Sequence, residues 1–351
     1  MLAPVLHILP LTTIRRERLL PTPGRIVVRM DQKVSPLDVI AEANLGYEHV
    51  LLDVARELGL PVEKANALIR CKVGERVDSN QVIAESRGMV PHSVRAPRPG
   101  RVVAVGSGQV LLEVGEAAYE LRAGIPGTVT RLIPERGAEI QTTGALIQGV
   151  WGNSRVDVGL LLPLIETPED ALTARRLDVS LRGSVILAGH CSDADALRAA
   201  GDLPVRGLIL SSISPALLSL AMQMRYPIVV TDGFGRLPMN SAAFKLLTTN
   251  AKREVTVNGE PYDRNAGMRP EVIIPLPVSR VPPLPRDLET FAPDQQVRLC
   301  RAPHAGEIAT LISLPPGLAV LPSGLRAHVG QVRLEDGEQI IVPLANMEVL
   351  G

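Results

Sequence analysis

A run of prolines near the C-terminal end, Pro275-Leu-Pro-Val-Ser-Arg-Val-Pro-Pro-Leu-Pro285, restricts the fold more than any other stretch of the chain. Proline fixes φ and removes a backbone donor, so five of them in eleven residues continue neither a helix nor the interior of a sheet. The run reads as a stiff, extended linker over 276–285. A softer boundary falls near Trp151-Gly-Asn-Ser154. The chain is thereby divided into a β-rich part over 1–155, an α/β part over 156–275 and a β-rich part over 286–351, each long enough to bury a core.

Hydropathy changes period between these parts. In the first, a helical stretch over 51–68 is interrupted by Pro61, which predicts two short helices. Brief β-prone runs follow at Val82–Glu85, Gly100–Val105 and Gln109–Val114, separated by turn residues as a sandwich of short strands requires. In the middle part Gly183–Ala188, Arg206–Leu210 and Pro227–Thr231 are continuous apolar runs, the pattern of strands buried on both faces. Helical segments lie at 192–200, 214–225 and 238–249. Ser214-Pro215 provides a capping hydroxyl and a proline at the first helical position. Strand–helix alternation with short loops predicts a small parallel α/β layer.

Composition removes several function classes. Lys+Arg and Asp+Glu are both 37, so no whole-chain charge favours nucleic acid or an anionic membrane, though a local patch is still open. Aromatic residues are 2% of the chain, too few for a platform that stacks bases. Cys71, Cys191 and Cys300 are odd in number and far apart, which suits reduced, buried thiols and a cytoplasmic setting rather than a disulfide framework or metal cluster. The charges Arg15, Arg16 and Arg18 follow the apolar N-terminal stretch, the wrong order for a secretory signal. The longest apolar run, Leu208 to Met224, is broken by Ser211, Ser212, Ser214 and Pro215, so no integral membrane segment is expected.

Over 73–102 the pattern Gly74, Val77, Gln81, Ile83, Ala96, Pro97, Gly100, Val102 resembles the half-motif of biotinyl/lipoyl-like domains. A second, related half follows over 123–146, and two halves packed together would close one sandwich-hybrid β domain. In carrier proteins of this family the hairpin tip holds an acceptor lysine. Here Met89 is followed by Val90, and no lysine occurs between Lys72 and Lys245, so covalent biotin or lipoate is chemically excluded in this segment and no cofactor is expected. The full string looks most like the N-terminal sandwich in the C subunit of Rnf-type electron-transport complexes. Similar folds occur in RNA polymerase large subunits and transporter adaptors. The Cys-x-x-Cys-x-x-Cys clusters of the Rnf subunit are absent.

Gln296–Leu311 resembles a KOW motif, the β-loop-β element of NusG-type small barrels, with Val297 and Leu299 pointing inward and Gly306 at the turn. That resemblance implies a C-terminal KOW-like β-barrel. Arg298, Arg301, His304, Gly306, Arg326 and Arg333, with His328 nearby, are its candidate contacts to RNA, DNA, ribonucleoprotein or a protein partner.

In parallel α/β sheets ligands gather at the C-terminal ends of the strands. Those ends carry His190-Cys191, Ser211-Ser212 and Asp232-Gly-Phe-Gly235, so Ser211, Ser212, Asp232, Gly233 and Gly235 form a candidate anion or ligand crevice. His190 and Cys191 are adjacent on a strand and face opposite ways, which is poor placement for a nucleophile and its base. Asp232-Gly-Phe-Gly lacks every other element of a kinase. The region over 206–230 looks faintly like the swivelling phosphohistidine domain, but Ser211 to Ser214 stand where its histidine would be. The expected fold class is therefore multidomain α/β and β. Three functions stay open: a non-catalytic scaffold or adaptor attached to transcription or translation machinery, an accessory subunit of a membrane-associated redox or transport complex, and a small-anion-binding or enzymatic α/β domain.

Overall fold

A computed structural model describes residues 2–86, 92–263 and 268–351. Met89 and Val90, at the expected hairpin tip, lie outside the described residues. The protein is mostly β, with 47% of residues in strands and 14% in helices, and its longer helices pack on one sheet.

The continuous apolar runs form the expected parallel strands. Val156–Pro163, Ser184–Ala188, Gly207–Ile213 and Ile228–Phe234 lie side by side in the registers Leu160↔Ser184, Val185↔Gly207 and Leu208↔Ile228. Because alternate residues face opposite sides, the sheet feeds two cores. Ile186, Ala188, Leu208 and Leu210 pack under the helix Ala194–Asp202 and Ala221 of Leu218–Gln223. Val185, Leu187 and Ile209 meet Ala243 and Leu247 of Ser241–Thr249 on the other face. Asp193 and Asn240 cap their helices, accepting from Asp195 N and Ala243 N. Ser214 makes no such bond. Pro215–Leu217 instead forms a 3-10 turn that leads into the helix.

This sheet does not stop at residue 155. Val156–Pro163 pairs antiparallel with Glu254–Asn258, then follow Glu271–Pro275 and Gly137–Gln148, and the last also pairs with Ile8–Leu19. A single thirteen-stranded sheet thus joins the first and middle parts of the chain. The proline run is laid against it rather than free: the Pro283 carbonyl accepts from Thr13 N at 3.3 Å and from Thr12 Oγ1 at 3.2 Å.

The two glycine-punctuated halves do not share a core. Val77, Ile83, Ala96 and Val102 sit in one cluster with Leu52, Val110 and Leu112. Ala123, Ile125, Val129, Ala138 and Ile140 sit in another, with Ile14, Val34 and Ile40. Connecting them is an antiparallel ribbon, Val39–Asp53 against Gln109–Arg122, neighbouring strands of a five-stranded sheet that narrows to these two in its middle, where residues 44–49 are all exposed. The described residues of 50–114 therefore form a separate lobe at its far end. Its helices, Val54–Leu58 and Val62–Leu68, flank Pro61 as expected.

A six-stranded sheet closes the chain: Gln296–Leu299, Ile308–Ser313, Val329–Leu334, Gln339–Pro343 and Met347–Leu350, with the N-terminal Val5–Leu6 added parallel to the last. Among the described residues no helix is long and apolar enough to cross a membrane.

Candidate functional site

The ends of the parallel strands bring the predicted crevice residues together and then close over them. Ser211 and Ser212 are fully buried, and both hydroxyls donate to the Leu237 carbonyl, at 2.9 and 2.8 Å. Ser212 Oγ also accepts from Leu237 N at 3.0 Å and lies 3.1 Å from His190 Nδ1. A serine beside a histidine is the start of a nucleophile–base pair. Here the hydroxyl is tied into the 235–240 loop with no room for a substrate, and burial, helped by Arg236, lowers the His190 pKa. Cys191 points into the apolar core, where burial pushes its thiol up to about 11. It is not a nucleophile at neutral pH. Replacing Ser212 with alanine is expected to cost about 1–3 kcal/mol in urea unfolding, because it strands Leu237 N–H and takes one partner from the His190 ring. A neutral outcome would contradict this tie.

Asp232 is buried beneath the C-terminal sheet. Its carboxylate accepts from Thr231 Oγ1 at 2.7 Å, Asn240 Nδ2 at 2.8 Å and Asn240 N at 3.3 Å. Arg298 approaches from the neighbouring sheet. Its Nη1 donates to the Thr231 and Asp232 carbonyls, each at 3.2 Å, and lies 3.7 Å from Asp232 Oδ1. Its Nη2 donates to Glu348 Oε2 at 2.9 Å, and Arg269 holds the other Glu348 oxygen at 3.1 Å. Arg298 is only 4% exposed. Its expected place on a solvent-facing basic surface is therefore corrected: it faces the α/β sheet. Burial raises the Asp232 pKa against the pull of Arg298, whereas Glu348, which burial alone would also raise, is held below the usual glutamate range by Arg298 and Arg269.

The anion cradle expected at Gly233 and Gly235 is also corrected. Gly233 lies in the strand ladder opposite Ser212, and Gly235 N donates to the Ile213 carbonyl at 3.0 Å. The turn glycine Gly306, with φ +92, packs toward the same place: a Cβ built on it would lie 4.0 Å from Asp232 Oδ1. The Gly235 donor that would face a phosphate is engaged, and the crevice is a packed joint.

The remaining candidate contacts lie on separate elements of the C-terminal part. Arg301 is exposed, and His304 is half-buried with its Nδ1 3.2 Å from Glu307. Arg326 lies in a separate two-stranded hairpin, and Arg333 is exposed on Val329–Leu334. Residues 286–351 contain five arginines, no lysine and eight carboxylates, a formal charge of −3. That balance opposes docking on phosphate.

Sequence reasoning missed a cleft of about 910 Å³ beside the N-terminal strand, lined among the described residues by Arg16, Arg18, Tyr119, Glu260, Tyr262 and Arg269. The signal was the alternation Ile14, Arg16, Arg18 on one strand. Arg16 grips Glu271 at 3.1 and 2.6 Å, Arg18 grips Glu260 with both terminal nitrogens, and Arg269 lies 4.5 Å over the Tyr262 ring. These guanidinium groups face carboxylates, so the cleft is a cross-linked seam with little free positive charge. No group of three His, Cys, Asp or Glu residues among those described is placed to hold a metal.

Burial would raise the Glu260 pKa, but its bonds to Arg18 leave it lowered. A carboxyl with a lowered folded pKa contributes stability above its unfolded value that is lost as pH falls through the folded value. Glu260→Gln is therefore expected to be about 1–3 kcal/mol less stable than wild type at pH 7. The gap should close on acidification through the range below 4.5, the ordinary glutamate value. Denaturant melts at several pH values check it, and a gap independent of pH would refute the ion pair. A comparison with known protein families finds none that matches the chain, and one with curated proteins finds no relative, so its function rests on this geometry.

Proposed function

We propose that the protein is a non-catalytic adaptor that joins protein partners, with its C-terminal sheet serving as a KOW-like barrel on one side and its ribbon-borne lobe as a biotinyl/lipoyl-like docking module on the other. The observation that carries this reading is the ribbon. It holds the lobe core apart from the other cores on two strands whose middle is exposed, with Gly46 at φ +89 and Gly115 at φ +126 where the register shifts. Positive φ on both strands suits a bend that lets the lobe lean toward a partner. The crevice that would serve an enzyme is packed shut, which also favours binding over chemistry. The negative C-terminal sheet, poor in aromatic residues, favours a protein surface over nucleic acid. The KOW-like pattern suggests a component of the transcription or translation machinery.

The test compares a tagged full chain with one lacking residues 47–114, in which Gly46 joins Gly115 as a two-glycine turn. Proteins captured from the native cell by the full chain are expected to be lost from the shortened one and to survive nuclease treatment. Identical captured sets, or a set that disappears with nuclease, would overturn the reading.

A further inference from the structure

Along the outer edge of the ribbon, from Tyr47 to Asp53, no described strand supplies a partner. Gln109–Arg122 occupies the inner edge, and Arg25–Ile26 reaches only Glu42 and Ala41. An open row of backbone donors and acceptors is a template for another strand, and folded proteins protect such edges with lysine, proline or a covering element. Residues 45–53 have no lysine and no proline. Instead Tyr47 and Leu51, each 57% exposed, share the outer face with His49. Leu51 lies opposite Leu111, and Leu111 opposite Ala104, so an apolar row crosses the lobe and ends at this edge.

We propose that the edge pairs with the same edge of a second copy of this chain, antiparallel, about a two-fold axis at His49. A two-fold pairing through one strand must be centred on a residue that faces itself, because neighbouring residues point to opposite faces of the sheet. Centring on Glu48 would oppose two carboxylates. Centring on Val50 would set His49 against Leu51 and Glu48 against Leu52. Centring on His49 sets Tyr47 of each copy opposite Leu51 of the other, an aromatic–aliphatic pair of the kind that stabilises antiparallel strands. It also joins the apolar rows of both lobes into one. The occupant is thus a strand with this one's own pattern.

Sedimentation velocity of the full chain tests the proposal over a range of concentrations reaching hundreds of micromolar, with two variants. The wild type is expected to dimerise reversibly. Tyr47→Lys with Leu51→Lys should show no measurable dimer while melting normally, since both side chains lie mostly in water. His49→Cys should form an intermolecular disulfide under mild oxidation, because facing residues across an antiparallel pair have Cα atoms about 4.5–5.5 Å apart. Glu57→Cys, on an exposed helix, should not. A wild type that stays monomeric, a double-lysine variant that still dimerises, or cross-linking at residue 57 as fast as at residue 49 would each overturn the pairing. A monomeric wild type that still captures partners through the lobe overturns the pairing alone and leaves the adaptor reading standing.

Discussion

Arg298→Ala is expected to destabilise the protein by about 3–5 kcal/mol, because it removes a buried arginine that bridges the Thr231–Asp232 end of the α/β sheet and Glu348 and leaves buried acceptors behind. Four groups lose a partner at once: the Thr231 and Asp232 carbonyls, the Asp232 carboxyl and one Glu348 oxygen. The losses are unequal. Glu348 keeps Arg269, and Asp232 keeps three donors, so the carboxyls are not stripped bare. The two carbonyls lose a charged donor in a site that water does not reach. Arg298 Nε is itself buried without a partner, which offsets part of the wild-type gain. Arg298→Met, which restores packing but no donor, should fall between wild type and alanine. Urea unfolding gives the energy, and limited proteolysis shows where it acts: release of a fragment beginning near the proline run is expected. Loss of less than about 1 kcal/mol, the scale of an exposed ion pair, would show that the contact does not lock the sheets together.

The same residue shows what the sequence can and cannot say. Val297 and Leu299 alternate inward, so Arg298 must point out of its own sheet, and that much was legible. On the sequence alone, outward means water. In the folded chain it means the end of the parallel sheet, because strand alternation gives the direction of a side chain relative to its own sheet and not what lies beyond. The crevice failed for a related reason. The strand order at residues 211 and 232 is readable from apolar runs, but the loop that fills the crevice through the Leu237 carbonyl has no pattern of its own. The parallel strands and the helices about Pro61 were legible because their signals are local. The continuity of the sheet across residue 155 and the division of the two glycine-punctuated halves between cores depend on long-range pairing, such as Gly144↔Pro275 and Gly137↔Leu19, which no local period encodes. Arg16 and Arg18 were visible only as charges after an apolar stretch. Their meaning comes from Glu271 and Glu260, about 250 residues away in the chain.

Removal of residues 2–6 is expected to open the C-terminal sheet although it leaves that segment of the chain untouched. Val5–Leu6 is the parallel edge strand beside Met347–Leu350. Val349 N donates to the Pro4 carbonyl at 2.9 Å, and Gly351 N to the Leu6 carbonyl at 3.1 Å. Leu6 is fully buried, Val5 is 8% exposed, and Ala3 packs against Phe291 and Val349 in the core of this sheet. Burying a valine or leucine side chain is worth about 1.5–3 kcal/mol, so Val5 and Leu6 together contribute about 3–6 kcal/mol. That is comparable with the whole stability of a small domain. The last strand keeps its antiparallel pairing with Gln296–Leu299 and the Arg298–Glu348 contact, so the Arg298 lock and the helix-covered parallel sheet should persist. The outcome is then a local opening: amide exchange at Val349 and Gly351, whose N–H groups lose the Pro4 and Leu6 carbonyls, rises toward that of an unprotected chain, while Val185, Ile209 and Val229 keep their protection. A synthetic peptide spanning residues 2–9 added in trans should restore part of the lost protection, since the edge it fills is preformed. If the shortened chain retained full protection at Val349, the C-terminal sheet would be self-sufficient and the pairing of the two ends of the chain incidental to its stability.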